Sequence, residues 1–139
     1  VSDLSQLGQR LVGFVENVER DHRYAVEAVA TDIERESVEI IQEFIKTTAS
    51  GIVPGKPDRI WSGAVHDHVQ ARKKRLGNNY TVEYGWFGFN NPWKSGDYVK
   101  LQELGGGHVE TGMHSFSAVR RRVRDILHDY QKGRYFGYF

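Results

Sequence analysis

The chain has 139 residues, one domain's worth, with no cysteine and a net charge of +1. That length buries roughly two thirds of the unfolded surface without a metal or a crosslink, so one core is expected. The missing thiols exclude disulfides, cysteine nucleophiles, iron–sulfur clusters and cysteine-ligated zinc.

The first helix is read from Ser2 or Asp3 as cap, then Leu4, Leu7, Leu11, Phe14, Val15 and Val18 at three- and four-residue steps. A second set, Val26, Val29, Ile33, Ile40, Ile41 and Phe44, keeps the same phase up to Thr47, with Gly51 as a left-handed terminal cap. A single rod over 3–48 runs about 65–70 Å, too long for a compact domain unless it bends or projects. The expectation is therefore two helices or one helix kinked at His22, reaching out of the globular part. The first residues are acidic and amphipathic where a secretory signal is basic and then apolar, and no apolar run approaches the roughly 20 residues that span a bilayer. A soluble protein with no membrane partner, made in a cytoplasm, is expected.

Two prolines and two glycines in GIVPGKPDRI, residues 51–60, predict a loop. Val65, Asp67, Val69 and Ala71 then alternate with His66 and His68, and across Gly77-Asn78-Asn79 the residues Tyr80, Val82 and Tyr84 alternate with Thr81 and Glu83. Period two around a Gly-Asn-Asn turn predicts a hairpin, with a helix over 64–75 as the competing reading. Residues 85–113 combine Trp86, Phe87, Phe89, Trp93 and Tyr98 with many glycines and are expected to be extended or looped. Met113, Phe116, Val119, Val123, Ile126, Leu127 and Tyr130 form one face of a closing helix that Gly133 ends, and GRYFGYF places four aromatics in the last five residues. The fold class is α+β: a long N-terminal amphipathic helix or kinked pair, a small antiparallel sheet, and a C-terminal helix on the sheet. The single domain divides into a helical part (1–50), a β-rich part with long loops (51–110) and a helix with an aromatic tail (111–139).

Charge divides unevenly. Residues 1–48 hold 5 Lys+Arg against 10 Asp+Glu, a balance of −5, and residues 49–139 hold 14 against 8, or +6. Such polarity suits head-to-tail contact between copies, or simply solubility.

Four chemical readings are weak. His66 and His68 on one strand face could chelate a metal with His108 or His114, but no acidic ligand is spaced to join them. Gly105-Gly106-Gly107 lacks the Gly-Lys-Ser/Thr of a phosphate loop and is better read as a positive-φ connection. The clusters Arg72-Lys73-Lys74-Arg75 and Arg120–Arg124 allow a small nucleic-acid-binding module, or solvated helix and strand faces. No nucleophile elbow is present, and a carboxylate pair such as Glu83 with Glu103 specifies no reaction. No catalytic, cofactor-binding or metal residues are assigned, and an enzyme is not expected.

The succession Arg59-Ile60-Trp61-Ser62-Gly63, Tyr84-Gly85-Trp86, Tyr98-Val99-Lys100-Leu101-Gln102-Glu103-Leu104-Gly105 and Gly112-Met113 resembles the small tail-component family of long-tailed bacteriophages. The likeness covers about residues 40–130. The chain departs from it with Trp61-Ser62-Gly63-Ala64, where many members show Arg-Thr-Gly-x-Leu, and in its aromatic tail. The resemblance implies a non-enzymatic virion protein of the neck or tail, a tail-completion or head-to-tail joining subunit. It implies a homo-oligomeric ring, by analogy six-fold, between a head connector or stopper and a tail terminator or tail tube protein; a tail-terminator role is the neighbouring alternative. Phe89, Trp93, Tyr98, Gln102, Glu103, Tyr135, Phe136, Tyr138 and Phe139 are the expected subunit or partner contacts, because aromatic rings supply much area for little rotamer entropy. Glu27, Glu34 and Glu39 are candidate lumen residues, whose repetition around a ring would let DNA pass without adhering.

Overall fold

The computed structural model describes residues 2–60, 64–87 and 95–136, with side chains described for 20–60, 65–87 and 99–136. Its order is α1 (Ser2–Thr47), α2 (Ala64–Asp67), β1 (Gln70–Leu76), β2 (Asn79–Gly85), α3 (Ser95–Leu104) and α4 (Ser115–Gln131). This is the α+β arrangement expected, with a long first helix, a two-stranded antiparallel sheet and a closing helix.

α1 is one continuous helix of 46 residues, about 69 Å along its axis, so the chain takes the single-helix form of the expectation and the helix does not break at His22. The reason lies opposite His22. Tyr130 lies beside the imidazole, its hydroxyl 3.2 Å from Nδ1, and the Phe136 ring stacks on it, so a polar residue on the apolar phase has partners without the helix having to break. α1 ends at Thr47, where the Thr48 hydroxyl and amide both turn back to the Phe44 carbonyl. Gly51, expected as the cap, lies beyond that end. Its φ of 81° brings it against Glu110, whose Oε2 would stand 2.6 Å from an added Cβ.

The hairpin is shifted from its expected position. Residues 64–67 form the short α2, and pairing runs from Gln70↔Gly85 to Leu76↔Asn79. Only Gly77 and Asn78 make the turn, with Gly77 at φ 62°, as a glycine-first two-residue turn requires. Apolar alternation was a sound guide on β2, where Tyr80, Val82 and Tyr84 face α1 and α4. It misled on 65–69, because Val65 and Val69 both reach the core from a helical turn and its exit.

α3 is an element the sequence reading missed, since its glycine and charged residues give no amphipathic stripe. Gly105 at φ 82° ends it, and Gly106 and Val109 exchange both backbone hydrogen bonds in a tight loop. α4 runs antiparallel to α1, with Arg122 beside Glu36 and Tyr130 beside His22. It meets the sheet at Phe116, whose ring stands edge-on to Tyr84 at 5.3 Å. At its end the Arg134 amide bonds to Asp129 and the Gly133 amide to Tyr130, with Gly133 at φ 76°, the paired closure of a Schellman motif. Ile41, Ile45, Val65, Val69, Met113 and Val119 form the core.

Candidate interaction site

Of the residues that carry the sequence resemblance, Arg59, Gln102, Glu103, Gly105 and Gly112 meet at one largely buried junction. Arg59, 4% exposed, donates from Nε to Thr48 Oγ1 at 2.7 Å and from Nη1 to Gln102 Oε1 at 3.0 Å, while its amide holds the Ile45 carbonyl at the end of α1. Gln102 is 1% exposed and Glu103 is 6% exposed. The Glu103 carboxylate accepts from the Ser115 hydroxyl at 2.6 Å and from the Phe116 amide at 2.7 Å. It thereby caps α4 from another helix and sets negative charge at the positive end of the helix dipole. His114, the residue before α4, sits at φ 51° with no side-chain cap of its own. Its left-handed conformation is held by its amide to the Glu103 carbonyl and its carbonyl to the Ser117 amide. The anion that the glycine-rich approach to a helix start invites is thus the chain's own carboxylate.

Gln102 and Glu103 were expected to meet a partner, and the structure corrects that. Both are interior, because a charged group taken out of water needs its hydrogen bonds within the fold, and here it has them. Gly112 belongs to the same junction. A Cβ there would lie 2.4 Å from the Leu104 carbonyl carbon and 2.6 Å from the Gly105 nitrogen, so the backbones of α3 and of the approach to α4 meet without room for any side chain.

Of the other expected contact residues, Phe89, Trp93, Tyr138 and Phe139 lie outside the described residues, as does the side chain of Tyr98. Tyr135 is half-buried against α1 and donates to Asp32 at 2.7 Å. Burial first, and that hydrogen bond second, push its phenol pKa well above the usual value. Phe136 is 40% exposed and packs on His22 and Tyr130. The start of the aromatic tail therefore folds back on its own chain. Trp86 does the same, donating from Nε1 to the Val65 carbonyl at 2.7 Å.

The three lumen carboxylates are not alike. Glu34 accepts from the Lys73 amide at 2.7 Å, and Glu27 lies 3.8 Å from the Lys73 ammonium. These two tie the hairpin to α1, Glu27 from a side chain still 49% exposed, and Glu39, beside Arg35 of the same helix, turns to solvent. The basic hairpin run is largely matched: Arg72 and Lys74 share Glu83, whose pKa Arg72 and then Lys74 lower, and Arg72 also covers the Phe87 ring. His66 and His68 do not share a strand face. His66 lies on α2 with Nδ1 turned to Asp67, and no cluster of three metal-binding side chains occurs among the described residues. Glu83 and Glu103 form no acid–base pair, one being committed to the hairpin surface and the other to the α4 cap.

One surface feature escaped the sequence reading. Val26, Val29, Ala30 and Ile33 of α1, Tyr80, Val82 and Tyr84 of β2, and Val123 and Leu127 of α4 line an open apolar groove of about 480 Å³, with Arg120 and Arg124 among its walls. The arginine run of α4 is split by the helix: Arg122 turns inward to a two-point ion pair with Glu36, whereas Arg120 and Arg124 reach the groove. Each stripe was visible as periodicity, but a gap left between three stripes depends on their spacing in space. Among the described residues no helix is long and apolar enough to cross a membrane. Comparison with family models, curated proteins and solved structures found no match for this chain.

Proposed function

We propose that the chain is a structural, non-enzymatic subunit of the neck of a long-tailed phage, a tail-completion protein forming a ring between the head connector and the tail tube. The observation that supports this most is the convergence of Arg59, Gln102, Glu103, Gly105 and Gly112. Residues picked out by their resemblance to that family, and separated by up to 53 positions, act as one junction that fixes α1, α3 and α4 together. A ring subunit transmits load across such a junction and performs no chemistry there. The projecting length of α1 and the open groove supply faces for neighbours, as cyclic assembly requires.

The nucleic-acid alternative draws less support, since Glu83, Glu27 and Thr31 already engage Arg72, Lys73 and Lys74. The ring and neck reading is tested by negative-stain images and native masses of the purified chain, alone and with a head connector, and by imaging the neck of an intact particle. Closed rings of fixed stoichiometry are expected. A chain that stays monomeric with the connector, binds DNA in a steeply salt-dependent way and is missing from virions would replace this reading with the nucleic-acid one.

A further inference from the structure

We infer that the apolar groove between α1, β2 and α4 is the seat for the N-terminal helical arm of a second copy of this chain. The inference rests on the ring reading for the identity of the occupant.

Among the described residues, α1 meets α4 and the tail no nearer its start than His22. The helix continues another 20 residues to Ser2, about 30 Å further. Along that arm the sequence spaces Leu4, Leu7, Leu11, Phe14 and Val18 by three, four, three and four residues, the seam of a helix made to pack against others. The groove is cut to receive such a seam. Its walls run from Val26 to Ile33 on α1 and from Arg120 to Leu127 on α4, about two helical turns each, so Leu7, Leu11 and Phe14 match its length at the spacing of helix-in-groove anchors. Leu127, on its wall, is 44% exposed.

Charge chooses the occupant. The arm carries Asp3, Glu16, Glu19 and Asp21 against Arg10 and Arg20, a balance of −2. Among the described residues Arg120 and Arg124 make no ion pair, in contrast to Arg122 between them. Two arms laid on each other would set acid beside acid, whereas an arm in the groove meets two unneutralised cations. The arm cannot fill the groove of its own chain, because Leu11 stands about 27 Å along a continuous helix from Val29. The contact joins different surfaces on the two copies, so repetition gives a ring where it closes and a filament where it does not.

The chain's lack of cysteine makes the test direct. Full-length Leu11→Cys and Leu127→Cys chains are mixed under mild oxidation, and a disulfide between them requires Cα atoms closer than about 7 Å, a separation reached only between copies. The mixed dimer is expected to form about tenfold faster than either homodimer and than a control pairing Leu11→Cys with Leu76→Cys at the exposed hairpin tip. Arg120→Glu with Arg124→Glu should slow it by about tenfold, and added salt should slow the wild-type pairing. A dominant Leu11→Cys homodimer, meaning arm on arm, would overturn the inference, as would cross-linking no faster than the control, the result expected if the groove takes another protein. Images of the same samples separate the two ideas. Rings without the mixed dimer sink the docking mode alone, and the mixed dimer in open filaments sinks the closed ring alone.

Discussion

The junction around Arg59 and Glu103 and the charged face between the hairpin and α1 use the same residue types to different effect. At the junction Arg59 Nε and Nη1 and both oxygens of the Glu103 carboxylate are enclosed and hydrogen-bonded to residues of other elements. On the hairpin face, Arg72 with Glu83 and Lys73 with Glu27 are pairs in contact with water, where Coulomb attraction is screened and the side chains lose entropy in holding one geometry. The comparison teaches that burial, more than charge or count, decides which ion or hydrogen bond the fold depends on.

The strongest way to break that contrast is Gly112→Ala. The three atoms nearest the new methyl are all backbone, at 2.4, 2.6 and 2.7 Å, so no side chain can swing aside. A loss of about 3 kcal/mol in urea unfolding is expected, and a loss under 1 would show that α3 and the start of α4 are free to separate. Next in size is Glu103→Ala. It strips the Ser115 hydroxyl and Phe116 amide of their acceptor and α4 of its cap, at a cost of about 2 kcal/mol, read as a fall in melting temperature.

A smaller effect sharpens the comparison at its middle ground, the half-buried clamp of Tyr135 on Asp32. Tyr135→Phe should cost about 1 kcal/mol near neutral pH. The phenol is held protonated above the ordinary tyrosine value of 10.0, so its contribution is complete below pH 10 and is lost as pH rises through the raised folded value. The stability gap between wild type and Tyr135→Phe should therefore narrow above pH 10, and a gap that stays constant would disprove the clamp. Smallest of all is Glu83→Gln. This carboxylate lies at the surface, its pKa lowered by Arg72 and then Lys74, so its contribution is present above the ordinary carboxylate value and fades as pH falls through the lowered one. Denaturation curves of this variant should overlay wild type within error at neutral pH and in high salt.

Much of the fold was legible along the chain, and the misses have physical causes. Helical periodicity over 26–44 and 113–130, and the alternation Tyr80, Val82, Tyr84, report which face is buried, and burial follows from local sequence. Gly77 and Gly133 were readable because their turns need a positive φ. α3 was not legible, since Gly96, Asp97 and Lys100 blur its pattern and its stability comes from Gln102 and Glu103 locking into other elements. The interior fate of those two residues was equally hidden, because their composition speaks for solvent and only Arg59, Ser115 and Phe116 supply the bonds that make burial tolerable.

The sequence by itself determined the long first helix, a glycine-led hairpin turn at Gly77, the closing helix and its glycine stop, since each depends on residues within a few positions of one another. Tertiary structure alone decided that α1 continues unbroken past His22, that Glu103 caps α4, that Arg122 pairs with Glu36 while Arg120 and Arg124 reach a groove, and that the groove exists. Those outcomes rest on the distance between elements far apart in the chain, and no local pattern carries that distance.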